Sequence, residues 1–495
     1  MSEIRAAEHS HGVRVTSQAW EIEHSAAAGG AWTSIRIKSG SGRNLLRSPV
    51  TSALRFVQPD PHVDAGVFTA FSEKNEKAPS LRVETTPAGV PVVVAEGTYR
   101  DNAGNAIPVG YRRRTEYHDY GLIWTTLEIM SQAGCDGVVE VRAMDLTLRA
   151  GLTDCFVRFH PTQAGAPDLL GGRAWYDLAR QGHSTAFLSR YTPLQVLCRE
   201  RGVEGIDLFP ASELAQWDCA FGPDIGLGQY RVVHGADGTV VELNPYCMAL
   251  RRMGVRVQGT RALRLGIALP APKAGARTRE RLRDVCIAGR CCSDEELGRL
   301  AQRGITLIRF QDSYREDGPF WKHGAYPPYD EAGMRELSRT IDAAHSHGLK
   351  IVPCVSLREL HPDVAAYGTQ ADRWRHMAAP SLGVIHNWVG TGETGGLMCL
   401  KSGWLDACKH LADAVLSGLP WDGLYLDAVA SHPCCHLEHG REPFHTDMDE
   451  LLHILSYCRT RVGENGLLVV RAPGAPSIFV ENIADYIVPD EHHPA

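Results

Sequence analysis

A change of rhythm near residue 270 constrains this chain more than any single motif. Before it, segment after segment alternates polar and apolar residues with period two; after it, short apolar runs alternate with stretches of helical periodicity. One hydrophobic core does not accommodate both patterns over 495 residues, so at least two domains are expected.

The first part reads as strand after strand: Val13 to Ile22, Ala31 to Ile37, Ala53 to Val57, Val90 to Ala95, Leu122 to Ile129, Val138 to Leu148 and Val255 to Ala268. Thr125-Thr126-Leu127-Glu128-Ile129-Met130 carries the alternation of a half-buried strand. Ser39-Gly40-Ser41-Gly42 reads as a loop and Asp237-Gly238 as a hairpin turn. So much antiparallel strand predicts a large β-sandwich over residues 1–270 rather than a small barrel. Residues 271–283 combine small and basic side chains and read as a solvated linker or a helix crossing between domains.

From 284 to 495 the expected domain is a (β/α) barrel. Helices are predicted over Ser293 to Arg303, Tyr329 to His347, Trp404 to Leu416 and Leu451 to Val462. Ser293, with Glu296 three positions on, has the spacing of a capping box. Strands are predicted at Ile305 to Phe310, Lys350 to Ser356, Met398 to Leu400, Gly423 to Asp427, Leu467 to Arg471 and Tyr486 to Pro489. That makes about six, where a closed barrel of this type has eight, so the barrel reads as incomplete.

Composition removes several function classes. A formal charge of −7 creates no field for nucleic acid or anionic lipid, and no apolar run approaches a membrane span, so neither partner is expected. The opening Met-Ser-Glu-Ile-Arg-Ala-Ala-Glu-His-Ser-His-Gly lacks the apolar core of a signal peptide, which leads to a cytoplasmic expectation. The 14 cysteines then read as reduced core or loop thiols. No phosphate-cradling glycine loop and no nucleophile elbow occurs, so no cofactor is expected.

In a β/α barrel the C-terminal strand tips converge on substrate. Trp421-Asp422-Gly423-Leu424-Tyr425-Leu426-Asp427 is an apolar run after a tight turn, and it puts Asp427 at such a tip. A carboxylate there acts as a nucleophile or stabilises a cationic transition state; the plainer reading is an Asp that caps the following turn. Other predicted tips and loops bring Asp312, Trp321, Glu359, Trp388, Lys401, His432 and Arg471, which are taken as substrate-binding candidates. Cleaving a glycosidic bond needs two carboxyl groups, one protonating the leaving oxygen and the other attacking or activating water. Asp427 fits the second role. Asp490 and Glu491 on the sixth strand lead for the first, with Asp312, Glu359 and Glu438 behind them. Trp321, Tyr326 and Trp388 offer faces for sugar stacking, or simply pack their loops.

His432, Cys434, Cys435, His436 and His439 raise the question of a metal. Neighbouring cysteines rarely bind one tetrahedral ion together, and Pro433 interrupts the run, so no metal ligands are assigned.

Cys399-Leu400-Lys401-Ser402-Gly403-Trp404, a helix, and then Asp422 to Asp427 together resemble glycoside hydrolases of the α-galactosidase clan and the endo-α-N-acetylgalactosaminidase group. The resemblance implies a galactose-mutarotase-like β-supersandwich before a catalytic barrel, a retaining mechanism on an α-linked sugar, and Asp427 as nucleophile. The clan's acid on strand six maps onto Asp490 or Glu491. The acetylgalactosaminidase group's acid is a Glu on strand five, where this chain has Arg471. The α-amylase family is rejected because it needs Arg at the position of Tyr425. The substrate expected is a glycoside or oligosaccharide. A carbohydrate-binding protein without activity, and a metal-dependent hydrolase or lyase using the His/Cys loop, stay open as alternatives.

Overall fold

A computed structural model describes residues 4–58, 67–131, 138–149, 154–158, 175–177, 184–187, 195–200, 204–210, 230–243, 255–256, 259–271, 282–288, 291–311, 331–360, 365–379, 382–383, 385–387, 394–427, 429, 433–434, 436–440, 445–471 and 477–488. The chain divides into two compact units, residues 1–272 with 477–479, and residues 273–476 with 480–495. Most of the expected linker, residues 272–281, falls outside the described residues.

The first unit is antiparallel sheet. Arg5–His9, Gly12–Thr16, Trp20–Ser25 and Ala31–Ile37 form a four-stranded sheet in chain order, and a much larger sheet includes the neighbours Thr260–Ala268, Leu122–Ser131, Ala106–Tyr117 and Pro91–Arg100. Alternate residues from both sheets, among them Val13, Trp20, Ile22, Ile35, Tyr99, Tyr111, Ile123 and Leu127, share one core. That core holds a polar knot. Buried Glu73 accepts hydrogen bonds from Ser52 N, Ser52 Oγ and Arg113 Nη2 at 2.8, 3.0 and 2.6 Å. Three donors, one of them cationic, compensate the desolvation of the carboxylate.

Two expected strands are broken. Val13 to Ile22 reverses direction because Ser17 Oγ accepts from the backbone N of Ala19 and of Trp20, each at 3.1 Å, which closes a turn. Val255 to Ala268 is interrupted at Gly259, whose φ of +72° is left-handed and therefore favours glycine. The hairpin turn lies one residue earlier than expected, at Ala236-Asp237, since Gly235 pairs directly with Gly238.

The second unit is built on a parallel sheet whose strands lie in chain order: β1 (Asp284–Ala288), β2 (Leu307–Gln311), β3 (Lys350–Ser356), β4 (Gly423–Asp427), β5 (Leu467–Arg471) and β6 (Tyr486–Val488). Helices α1 (Asp294–Gln302), α2 (Glu331–Ser346), α3 (Ala365–Trp374), α4 (Trp404–Gly418) and α5 (Met448–Val462) alternate with them. The capping box on α1 is present, with Glu296 N donating to Ser293 Oγ at 3.3 Å and Ser293 N to Glu296 Oε2 at 3.0 Å. The sheet curls until its outer strands meet, Tyr486 OH of β6 donating to Asp284 Oδ1 of β1 at 2.7 Å. No ladder between β1 and β6 is found among the described residues, so a complete barrel is not seen. No helix among the described residues is long and apolar enough to cross a membrane.

The six strands are not the six expected. β1 was missing from the sequence reading, and Met398 to Leu400 is not a sheet strand. Met398 makes an isolated bridge to Arg375, while Cys399 N and Leu400 N donate to Trp374 O and Asp447 Oδ2 at 2.8 and 3.1 Å. Three apolar residues in a row bury as well in a turn as in a strand. One gain and one loss leave the Asp427 strand fourth. Its start is fixed by Gly423, where a Cβ would lie 1.8 Å from Leu467 O, and by Asp422 Oδ2, which accepts from Ile351 N at 2.8 Å.

Candidate active site

Strand period places Tyr425 and Asp427 on one face of β4, and Cys354 and Ser356 on the matching face of β3. The register sets Cys354 beside Tyr425 and Ser356 beside Asp427. Leu307, Val352, Cys354, Tyr425, Leu467, Val469 and Val488 form the core on this concave side. Toward the strand tips its chemistry turns polar, with Ser356, Asp427 and Arg471.

Asp427 is buried, only 8% exposed, and accepts a hydrogen bond from Arg471 Nη1 at 3.5 Å. Partly buried Glu359 follows β3 across a short turn. Its N donates to Ser356 Oγ at 3.3 Å, and Ser356 Oγ donates to its Oε2 at 3.0 Å. Burial, then the charge of Asp427, push the Glu359 carboxyl up to about 8, against the smaller opposing pulls of Ser356 and Arg471. Glu359 is thus a neutral acid near pH 7 next to a second carboxyl group that has a cation at its side. The Cys354 thiol is driven well upward by burial and by the Asp427 charge, so it offers no thiolate nucleophile.

Below this pair, Arg309 anchors the concave face. Its Nε donates to Asp284 Oδ2 at 2.5 Å and its Nη1 to Tyr425 OH at 3.3 Å, with the guanidinium 5.2 Å from the Tyr425 ring centre. Arg358, two residues past the end of β3, is fully buried and binds Asp447 through both terminal nitrogens; it holds the fold together.

Among the sequence candidates, Asp427, Glu359 and Arg471 come together at the strand tips. Lys401 stands near Glu450 instead, in the first turn of α5, and opposes the burial that raises Glu450 to about 7. Asp312, Trp321, Trp388, His432, Asp490 and Glu491 lie outside the described residues, as does Tyr326. Ser356 and Arg309 were not singled out from the sequence. Strand period places Ser356 on the face of Cys354 and Arg309 on the face of Leu307, but it does not say what either meets across the sheet.

The His/Cys loop contributes differently from its sequence pattern. Cys434 and His439 meet Cys399, and their ligand atoms lie within 4.8 Å of one another. His436 instead stacks on His439 with ring centres 4.1 Å apart, and Cys435 lies outside the described residues.

No protein-family model and no curated protein matches the sequence. Solved structures similar to the chain include glycoside hydrolases. The galactosidase domain of an alpha-galactosidase-sucrose kinase is 12% identical, with 94% of this chain and 70% of that one covered and a TM-score of 0.43. A GH36 alpha-galactosidase from Geobacillus stearothermophilus, in complex with raffinose, is 10% identical over 99% of this chain and 75% of its own, at 0.44. An alpha-N-acetylgalactosaminidase from Bifidobacterium bifidum is 12% identical over 95% and 77%, at 0.38. With identities of 10–12% and TM-scores no higher than 0.44, none of them carries the functional reading, which rests on the site.

Proposed function

We propose that this protein is a glycoside hydrolase whose concave sheet forms a (β/α) barrel, with Asp427 acting on the anomeric carbon and Glu359 protonating the leaving oxygen. The observation that supports it is the unequal pair at the strand tips. Glu359 keeps its proton up to about pH 8, while Asp427 sits beside the Arg471 cation. A carboxyl group that keeps its proton, beside a second one that has a cation at its side, meets the needs of an acid and a nucleophile at one pH.

In the retaining sequence, the Asp427 oxygen bonds to the anomeric carbon as the glycosidic C–O bond breaks. The Glu359 proton passes to the departing oxygen. Glu359, now ionised, takes a proton from water, and that water displaces Asp427 and restores both groups. Arg471 steadies the Asp427 charge before attack and as it leaves. An α-linked galactoside or N-acetylgalactosaminide is the substrate class in keeping with the resemblance of Cys399 to Trp404 and Asp422 to Asp427.

Aryl α-galactosides and α-N-acetylgalactosaminides test this directly. Asp427→Asn is expected to lower kcat by about a thousandfold or more with the fold kept, and added azide to give a glycosyl azide with Glu359→Ala. Glu359→Gln is expected to slow substrates with poor leaving groups far more than activated aryl glycosides. Equal slowing by Asp490→Asn or Glu491→Gln, with Glu359→Gln unaffected, would move the acid to strand six. Full activity in Asp427→Asn would end the proposal.

A further inference from the structure

Cys399 comes from the turn before α4, and Cys434 and His439 come from the loop after β4. All three are buried, at 0, 1 and 5% exposure, and their ligand atoms lie within 4.8 Å of one another. We infer that they form a zinc site in which two thiolates and one imidazole bind the ion and clamp the loop following Asp427 to the C-terminal end of α3.

The hydrogen bonding of the imidazole sets its role. His439 Nε2 lies 2.5 Å from Arg373 O. A carbonyl only accepts, so Nε2 carries a hydrogen there, which leaves Nδ1 as the ring atom that faces the sulfurs and can ligate an ion. A metal-binding histidine is commonly held this way, with the far nitrogen donating to a carbonyl. Cys434 Sγ in turn accepts from Met377 N at 3.5 Å, a contact suited to a thiolate.

The spacing fits as well. Tetrahedral zinc with Zn–S of about 2.3 Å and Zn–N of about 2.05 Å separates a sulfur from a nitrogen by about 3.6 Å. Cys434 Sγ and His439 Nδ1 are 3.6 Å apart. Two soft sulfurs and an imidazole favour zinc over magnesium or calcium, which take oxygen ligands. The fourth position falls to water. Binding converts two thiols to thiolates and releases two protons to solvent, with no change of oxidation state.

The test uses the full chain, prepared under reducing conditions, dialysed against zinc and then freed of excess. The expected content is about one zinc per chain. Cys399→Ser, Cys434→Ser and His439→Ala are each expected to weaken zinc binding by about tenfold or more, while Cys408→Ser and Cys458→Ser, at buried thiols elsewhere, keep it. Cobalt(II) in place of zinc is expected to show a thiolate-to-metal charge-transfer band. If the three variants fail to fold, the wild type alone decides: a chelator should make two more thiols reactive in the native protein. Zinc-free wild type, zinc retained by all three variants, no thiols released by chelation, or a Cys399–Cys434 disulfide in reduced preparations would each overturn the inference.

Discussion

Replacing Glu359 by Gln tests the electrostatics of the site without reference to any substrate. Glutamine keeps the shape and neutrality of the protonated acid but cannot ionise. In the folded protein the Glu359 carboxyl titrates at about 8, against 4.5 when free. Between these values the folded state holds a proton that the unfolded chain has released, so stability falls as pH rises. The contribution is fully present below about pH 4.5 and gone above about pH 8. At about 1.36 kcal/mol per pH unit the whole span corresponds to about 5 kcal/mol, and roughly 3.5 kcal/mol of it falls between pH 5 and pH 8. For a unit of this size that is roughly 10 °C in Tm. Scanning calorimetry of wild type and Glu359→Gln across that range reads the difference for the transition of the second unit. The variant is expected to match wild type near pH 5 and to exceed it progressively toward pH 8. Parallel Tm curves for the two proteins would show that Glu359 is ionised at neutral pH and would remove the acid from the mechanism.

The first unit should respond to pH in the opposite sense. Burial holds the His24 imidazole down at about 4, so acidification from about pH 7 to about pH 4 should cost roughly 3 kcal/mol; a His24→Gln transition of equal acid sensitivity would contradict it. Arg471→Met removes the cation that lowers the Glu359 carboxyl, so the alkaline limb of a kcat/KM profile should move above about pH 8, and an unmoved or lower limb would be the contrary result. Arg358→Met leaves Asp447 buried without its guanidinium, an expected loss of about 3–5 kcal/mol in chemical denaturation, with Arg358→Met/Asp447→Leu recovering part of it. Gly423→Ala drives a methyl toward Leu467 O and should lower stability by about 3 kcal/mol; a change within about 0.5 kcal/mol would mean that β4 and β5 tolerate the shift.

The local signals in the sequence were the readable ones. Ser293 and Glu296 mark the start of α1 because a cap and its reciprocal bond lie within four residues, and the apolar run before Asp427 marks β4 because strand period is local. Glu359 was one acid among many until the register of β3 and β4 set Ser356 beside Asp427, and no local pattern fixes that register. β1 is five residues long and follows a basic stretch, so its Val285 and Ile287 gave too short a period to recognise. Cys399 was read as part of a strand because its partners, Cys434 and His439, lie in a remote part of the sequence. Proximity across a parallel sheet belongs to the tertiary fold, and a single sequence does not encode it in its spacing.

The hydrogen bond from Tyr486 to Asp284 joins the outermost strands of the parallel sheet, which are also its first and last in the chain. During synthesis, β1 leaves the ribosome long before Tyr486 exists, and its outer side is then without the cover that β6 brings to it. Curling of the sheet therefore waits until β1 to β5 have all been made. Weakening that link with Tyr486→Phe would lengthen the exposed interval, so its cost should appear in aggregation during expression more than in the melting of the finished protein.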